Sequence, residues 1–191
     1  MTSSAEPVRC GWAGAEAEMR DYHDTVWGVP QRDDRTLFEF LTLEGAQAGL
    51  SWRTILLRKD GYRDVFDGFN VERIAGYTDA DVARCLGDAR IIRNRAKVES
   101  TIGNARLWLE MDDPIEFLWS FVGGTPIDHR RDPSNPVPAS NEISDRMSKQ
   151  LKKLGFRFVG TTICYAYMQA CGLVNDHVLD CFRHDECLAL G

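Results

Sequence analysis

Four side chains of the types that hold a metal sit at the two ends of the chain: Cys10 and His23 near the start, His177 and Cys181 near the end. Thiolate and imidazole suit tetrahedral zinc, and a closed set of four protein ligands is normally structural, since catalytic sites keep one position open. Zinc bound by all four would staple the chain ends together. The i, i+4 spacing of His177 and Cys181 allows both to share one helical face. Cys10 and His23 form no compact finger, so spacing alone leaves open an ordinary helical histidine and buried thiols. His129 and His184 need no metal role, and His129 falls in a Pro-rich stretch where a solvated side chain is expected.

A second kind of chemistry is suggested by Glu44, which lies among Leu43, Gly45 and Ala46. An unpaired carboxylate in such apolar surroundings is costly and calls for a partner. Nearby, Trp52 offers either a flat stacking surface or a core ring. Two runs are basic without any acid: Arg90, Arg93, Arg95 and Lys97, and then Arg146, Lys149, Lys152, Lys153 and Arg157. Such runs are solvated helix faces or phosphate contacts. The net charge of −6 argues against broad, non-specific attraction to nucleic acid.

The elements that must position these groups read as helices. Asp34 can cap a segment carrying Leu37, Phe40, Leu41 and Leu43, and Ser51 can cap the next, with 45–49 a loosened joint between them. Thr78 and Asp81 have capping-box spacing ahead of a short helix ending near Gly87. A second helix starts near Asn94, where Val98, Ile102, Ala105 and Leu109 recur on one face. Asp113, Pro114 and Glu116 open another. Four prolines between Thr125 and Asn141 mark an irregular connection and a lobe boundary. Beyond it, Ile143, Met147, Leu151 and Leu154 predict a buried stripe ending at Gly155, and 161–171 forms a last apolar helix. No repeat, heptad pattern or convincing run of alternating strands is present.

A chain of 191 residues with 43% hydrophobic content can bury a real core. Six irregularly spaced cysteines suit reduced thiols or metal ligands better than a disulfide framework. Without an apolar leader or spanning segment, a soluble, cytoplasmic protein is expected.

Several ordered segments carry a resemblance: Arg9-Cys-Gly-Trp12, Tyr22-His-Asp24, Trp27-Gly-Val-Pro30 and the ten residues from Leu43 to Trp52. Ile91-Ile-Arg-Asn-Arg95, Trp119-Ser-Phe-Val122, the eight residues from Phe158 to Tyr165 and the ten from Met168 to His177 continue it. Together they resemble the bacterial 3-methyladenine DNA glycosylase I family over about residues 9 to 181. The resemblance implies an all-α, two-lobed helical bundle with a helix-hairpin-helix motif and a zinc site joining the N- and C-terminal segments. It implies one glycosylase domain over 1–191, the hairpin at about 78–111, and zinc-binding ends at 10–23 and 177–181.

The implied activity is hydrolysis of the N-glycosidic bond of N3-methyladenine in alkylated DNA, freeing the base and leaving an abasic site. By the same resemblance, Cys10, His23, His177 and Cys181 hold one structural zinc, and Glu44, Tyr22 and Trp52 recognise the base. Glu44 is catalytic in the broad sense of stabilising the departing base. Trp12 and Trp27 are either pocket walls or ordinary core, Leu50 is either the wedge that fills the gap left in the stack or core packing, and Arg93, Arg95 and Lys97 would assist at the DNA backbone. The turn at 88–93 would hold a phosphate, although Arg90 stands where the family commonly has glycine. The catalytic aspartate of other helix-hairpin-helix glycosylases is missing. The implied partner is double-stranded DNA bearing alkylated bases, acted on by a monomer away from membranes. Two other readings share these residues: a non-catalytic, zinc-containing module that binds lesions, and a zinc hydrolase of small molecules.

Overall fold

The computed structural model describes residues 6–191, so the stretch 1–5 of the expected 1–191 domain lies outside the described residues. At its centre is α2 (Asp34–Gln47), in which every residue from Leu37 to Ala46 is buried. A helix with no polar face must be wrapped on all sides. One lobe comprises α3 (Trp52–Leu56), α4 (Lys59–Val65), α5 (Val71–Ala75), α6 (Asp79–Gly87) and α7 (Arg95–Leu109), of which α3 and α7 pack on α2. The other comprises α1 (Ala17–Thr25), α8 (Pro114–Ser120), α9 (Glu142–Lys153), α10 (Thr161–Ala170) and α11 (Arg183–Leu188). Here α7 packs on α5 and α6, while α10 lies between α2 and α9.

The local signals act largely as the sequence predicts. Asp81 accepts from the Thr78 backbone N–H at 2.9 Å, Asn94 caps α7 through Lys97 N at 3.1 Å, and Asp113 caps α8 through Glu116 N at 2.8 Å. At α2 the cap is Asp33, which accepts from Thr36 N at 2.8 Å, and not Asp34. Asp34 instead accepts from the Trp108 indole at 2.8 Å, a long-range contact that adjacent aspartates do not reveal. In α9, Met147 and Leu151 are buried as expected, but Leu154 is 44% exposed because the helix ends before it and Gly155, at φ +100°, turns the chain away.

The architecture is helical apart from one small feature. Strands β1 (Ile127–Asp128) and β2 (Val174–Asn175) pair in parallel, and Arg131 bridges to Val178. Two residues per strand are too few for alternation to be read. This pairing places the Pro-rich stretch alongside the C-terminal segment. His129, expected to be solvated, donates from Nδ1 at 2.6 Å to Asp176, a fully buried carboxylate also held by Arg131, Tyr165 and Gln169. Burial alone would raise the Asp176 pKa, but these four hydrogen bonds hold it down at about 2.

The chain ends are brought together at the end of α10. Gly28 N donates to Gln169 O at 3.1 Å and Gln31 N to Cys171 O at 2.9 Å. A Cβ at Gly172, where φ is +67°, would stand 2.5 Å from the backbone of Val29 and Pro30. Among the described residues no helix is long and apolar enough to cross a membrane.

The close approach at Gly172 predicts that Gly172→Ala destabilises the protein by about 3 kcal/mol or more, combining backbone strain with a clash against main chain. Loss of the α7 cap in Asn94→Ala is expected to cost only about 1 kcal/mol. Urea unfolding midpoints of the two variants check this ordering; a Gly172→Ala protein as stable as the cap variant would contradict it.

Candidate active site and metal centre

The four candidate metal ligands converge. Cys10, His23, His177 and Cys181 are all buried, and their ligand atoms lie within 4.8 Å of one another. Cys181 Sγ stands 3.4 Å from His23 Nε2 and 3.5 Å from His177 Nδ1, and Cys10 Sγ stands 3.5 Å from His177 Nδ1. Bonds of about 2.0–2.3 Å at tetrahedral angles place neighbouring donors about 3.5 Å apart, so the donor set fits a closed four-coordinate ion. The outer nitrogens are engaged as well: His23 Nδ1 lies 2.8 Å from Asp24 Oδ1, and His177 Nε2 lies 3.1 Å from Trp27 O. An N–H on each outer nitrogen leaves the inner nitrogen with its lone pair toward the cluster. Arg9 completes this shell by donating to both Asp24 oxygens, which keeps the Asp24 carboxylate ionised.

The expected shared helical face of His177 and Cys181 is replaced by bends and turns, with α11 beginning only at Arg183. Asn175 Oδ1 accepts from His177 N at 3.2 Å, and such local side-chain bonds compete with helix formation. The i, i+4 pair therefore meets through a tight turn, closed by Cys181 N donating to Val178 O at 2.9 Å.

Beside the cluster opens a cavity of about 340 Å3 lined by Trp12, Tyr22, Trp27, Glu44, Trp52 and Gln169, among others. The indole of Trp12 lies 4.8 Å from Trp27 and 6.3 Å from Tyr22, and Tyr22 lies 5.3 Å from Trp52. Helix α2 contributes the only carboxylate on this lining. Its other buried carboxylate, Glu39, accepts from Arg63 Nε at 2.9 Å. Glu44 has no cation: its Oε2 is buried without a hydrogen-bond partner, and burial pushes its pKa up to about 8. Trp52 Nε1 is likewise buried and unpartnered. Burial, followed by the nearby Glu44 charge, also raises the Tyr22 pKa. A donor-lined or positively charged planar ligand is what this lining lacks.

The hairpin of α6 and α7 joins through residues 88–94. Arg93 and Arg95 are exposed there, with Arg95 within 3.2 Å of Glu99. Lys97, expected at the DNA backbone, instead donates from Nζ to Ala46 O at 2.7 Å and Ala48 O at 2.8 Å. Its ammonium satisfies the carbonyls at the end of α2, a contact between distant segments that a basic run does not disclose. Arg90 needs no left-handed backbone, and its guanidinium is clasped by Asp88 and Asp64 at 2.8 and 2.7 Å. Space for it comes from Gly61, where a Cβ would lie 2.6 Å from Arg90 Cβ. Leu50 is 40% exposed at the joint between α2 and α3.

Sequence reasoning thus brings Glu44, Tyr22, Trp52, Trp12 and Trp27 to one cavity. It missed Met19, Gln47, Val137, Ala166 and Gln169 on the lining. Gln169 and Ala166 lie within or beside an apolar helical run whose spacing marks no face as a wall, and Val137 arrives from the Pro-rich stretch.

The methyladenine glycosylase family matches residues 12–184. The chain is 49% identical over 177 residues to DNA-3-methyladenine glycosylase 1 of Escherichia coli (strain K12), spanning 91% of this chain and 95% of that one. A crystal structure of 3-methyladenine DNA glycosylase I superposes with a TM-score of 0.90 at 48% identity, covering 93% of this chain and all of the other. A tyrosine-to-phenylalanine variant of 3-methyladenine DNA glycosylase I, solved in complex with 3-methyladenine, superposes with a TM-score of 0.88 at 32% identity over 92% of this chain and 97% of that one. With its helical fold, its carboxylate in an aromatic cavity and near-complete coverage by these relatives, the chain belongs to the methyladenine glycosylase family.

Proposed function

We propose that the protein is a DNA repair glycosylase that hydrolyses the N-glycosidic bond of N3-methyladenine in alkylated duplex DNA, releasing the base and leaving an abasic site. The single observation that carries this reading is the buried, unpartnered Glu44 oxygen in a cavity walled by aromatic rings. N3-methyladenine is positively charged while attached to its sugar, whereas adenine is neutral. The cationic base supplies the charge partner that Glu44 lacks, and aromatic faces favour a cation as well. Tyr22 and Trp52 flank the base, with Trp12 and Trp27 as outer walls.

A base within the duplex is out of reach, so the nucleotide rotates out of the stack and Leu50 fills the gap. As the bond to the sugar lengthens, its electrons pass to the base and positive charge grows on the sugar. Glu44 stays anionic through this step and offsets the charge, while water adds to the sugar carbon and releases one proton to solvent. The leaving base is already activated, so no proton need be delivered to it. Arg93 and Arg95 hold the backbone at the hairpin turn.

Cys10, His23, His177 and Cys181 would hold one zinc ion, which cross-links the chain ends and leaves no open position for chemistry. Four buried donors in mutual range count against the small-molecule hydrolase. The protein is proposed to act as a cytoplasmic monomer, with 1–191 as one glycosylase domain.

The direct test is chromatography of bases freed from freshly methylated duplex DNA. Selective release of N3-methyladenine over N7-methylguanine is expected, with Glu44→Gln lowering the rate on the order of a hundredfold while duplex affinity is retained. A folded, metal-loaded protein that binds the duplex and frees no base would instead be the lesion-binding module.

Glu44 also predicts a pH dependence. Its folded pKa of about 8 lies above the ordinary carboxyl value of 4.5, so its contribution to stability is full below 4.5 and is lost as pH rises toward 8. Across that window Glu44→Gln should gain stability relative to the wild type. Because the ionised form receives the cation, kcat/KM of the wild type rises with pH toward about 8, and Glu44→Gln flattens the profile. A wild-type profile that is flat between about pH 6 and 9 would rule out this ionisation.

For the metal, one zinc per chain is expected by elemental analysis. Cys181→Ser or a strong chelator should lower the unfolding temperature without changing the selectivity of whatever activity remains. Chelation that abolished release while leaving the melt unchanged would point to catalytic metal.

A further inference from the structure

Residues 47–50 form a tight turn at the end of α2. Leu50 N donates to Gln47 O at 2.6 Å, Ala48 has φ −43° and ψ 115°, and Gly49 has φ +79°. These angles match a type II turn, whose two central residues lie near about (−60°, +120°) and φ of about +80°. Types I and II differ by a flip of the central peptide, here the one carrying the Ala48 carbonyl. That carbonyl is the one Lys97 Nζ holds at 2.8 Å, together with Ala46 O at 2.7 Å. A flipped peptide would turn its N–H toward the ammonium and lose the bond. The backbone of Lys97 is itself pinned, because its N–H is taken by the Asn94 cap at 3.1 Å and its carbonyl accepts from Ser100 and Thr101.

Resting on the glycosylase reading above, we infer that Lys97 is a positioning residue that locks the 47–50 turn and so sets the presentation of Leu50 to the DNA stack. The residue holding the wedge stands in the first turn of the hairpin's second helix. Engagement of the hairpin with the backbone and insertion of the wedge therefore share one rigid connection. Lys97 neutralises no phosphate in this arrangement.

The experiment compares Lys97→Met, Leu50→Ala and the double variant with the wild-type, metal-loaded protein. Single-turnover release of N3-methyladenine from methylated duplex is expected to fall at least tenfold in Lys97→Met, and little further in the double variant, since both act through one wedge. Binding of free 3-methyladenine, read by tryptophan fluorescence, is expected to change less than about twofold. The salt dependence of duplex binding should keep its wild-type slope, whereas a lost phosphate contact would reduce it by about 0.9. Gly49→Ala approaches the same turn independently: no atom lies within 4 Å of its Cβ position, so only the positive φ is penalised. It should reproduce the duplex-specific loss even where Lys97→Met folds poorly. A reduced salt slope, additive losses, or full release by Gly49→Ala would each overturn the inference. A wild type that frees no base would overturn the glycosylase reading and this inference together.

Discussion

The structure depends on burying α2 from Leu37 to Ala46 on every side while that stretch carries two carboxylates. Glu39 is reached by Arg63 and tolerated as an ion pair. Glu44, little more than one turn further on, is given no partner, and its pKa rises to about 8. Burying a carboxylate without a partner is costly for a small core, and the cost appears here as that raised pKa. The proposed role of Glu44 in receiving a cationic base would account for its place among the aromatic rings of the cavity.

Those walls come from parts of the chain far apart in sequence. Trp12, Tyr22 and Trp27 arrive from the N-terminal segment, Glu44 and Trp52 from the centre, and Gln169 from α10. The cluster of Cys10, His23, His177 and Cys181 brings the first of these groups to the last. Trp27 lies edge-on to His177 at 4.6 Å, and Trp12 lies 5.3 Å from His23, so rings that line the cavity pack directly on metal-ligand rings. The side chains of this cluster thus bear on the shape of the cavity. The backbone approach at Gly172 and the hydrogen bonds of Gly28 and Gln31 serve the same convergence from the other side.

The opposite lobe supplies the hairpin, and the two lobes communicate where α2 ends. A helix C-terminus leaves carbonyls unsatisfied, and here a lysine from another helix takes two oxygens at the joint. That contact converts a chain-end defect into a fixed link between the hairpin and the exposed Leu50.

By itself the sequence determined the helical class, because caps and apolar spacing are local: Ser51, Thr78 with Asp81, Asn94, and Asp113 before Pro114 act where they stand. It also determined the chemical inventory, two cysteines and two histidines at the ends and a carboxylate in an apolar run, and its ordered segments carried the family resemblance. Tertiary structure alone decided how that inventory is used. Whether Glu44 or Glu39 finds a cation, whether Lys97 meets a phosphate or two carbonyls, and whether His177 and Cys181 meet on a helix or a turn all depend on atoms many residues away. Local propensity has no access to such partners, since the free energy of a buried polar group is set by what the rest of the chain brings within about 3 Å of it.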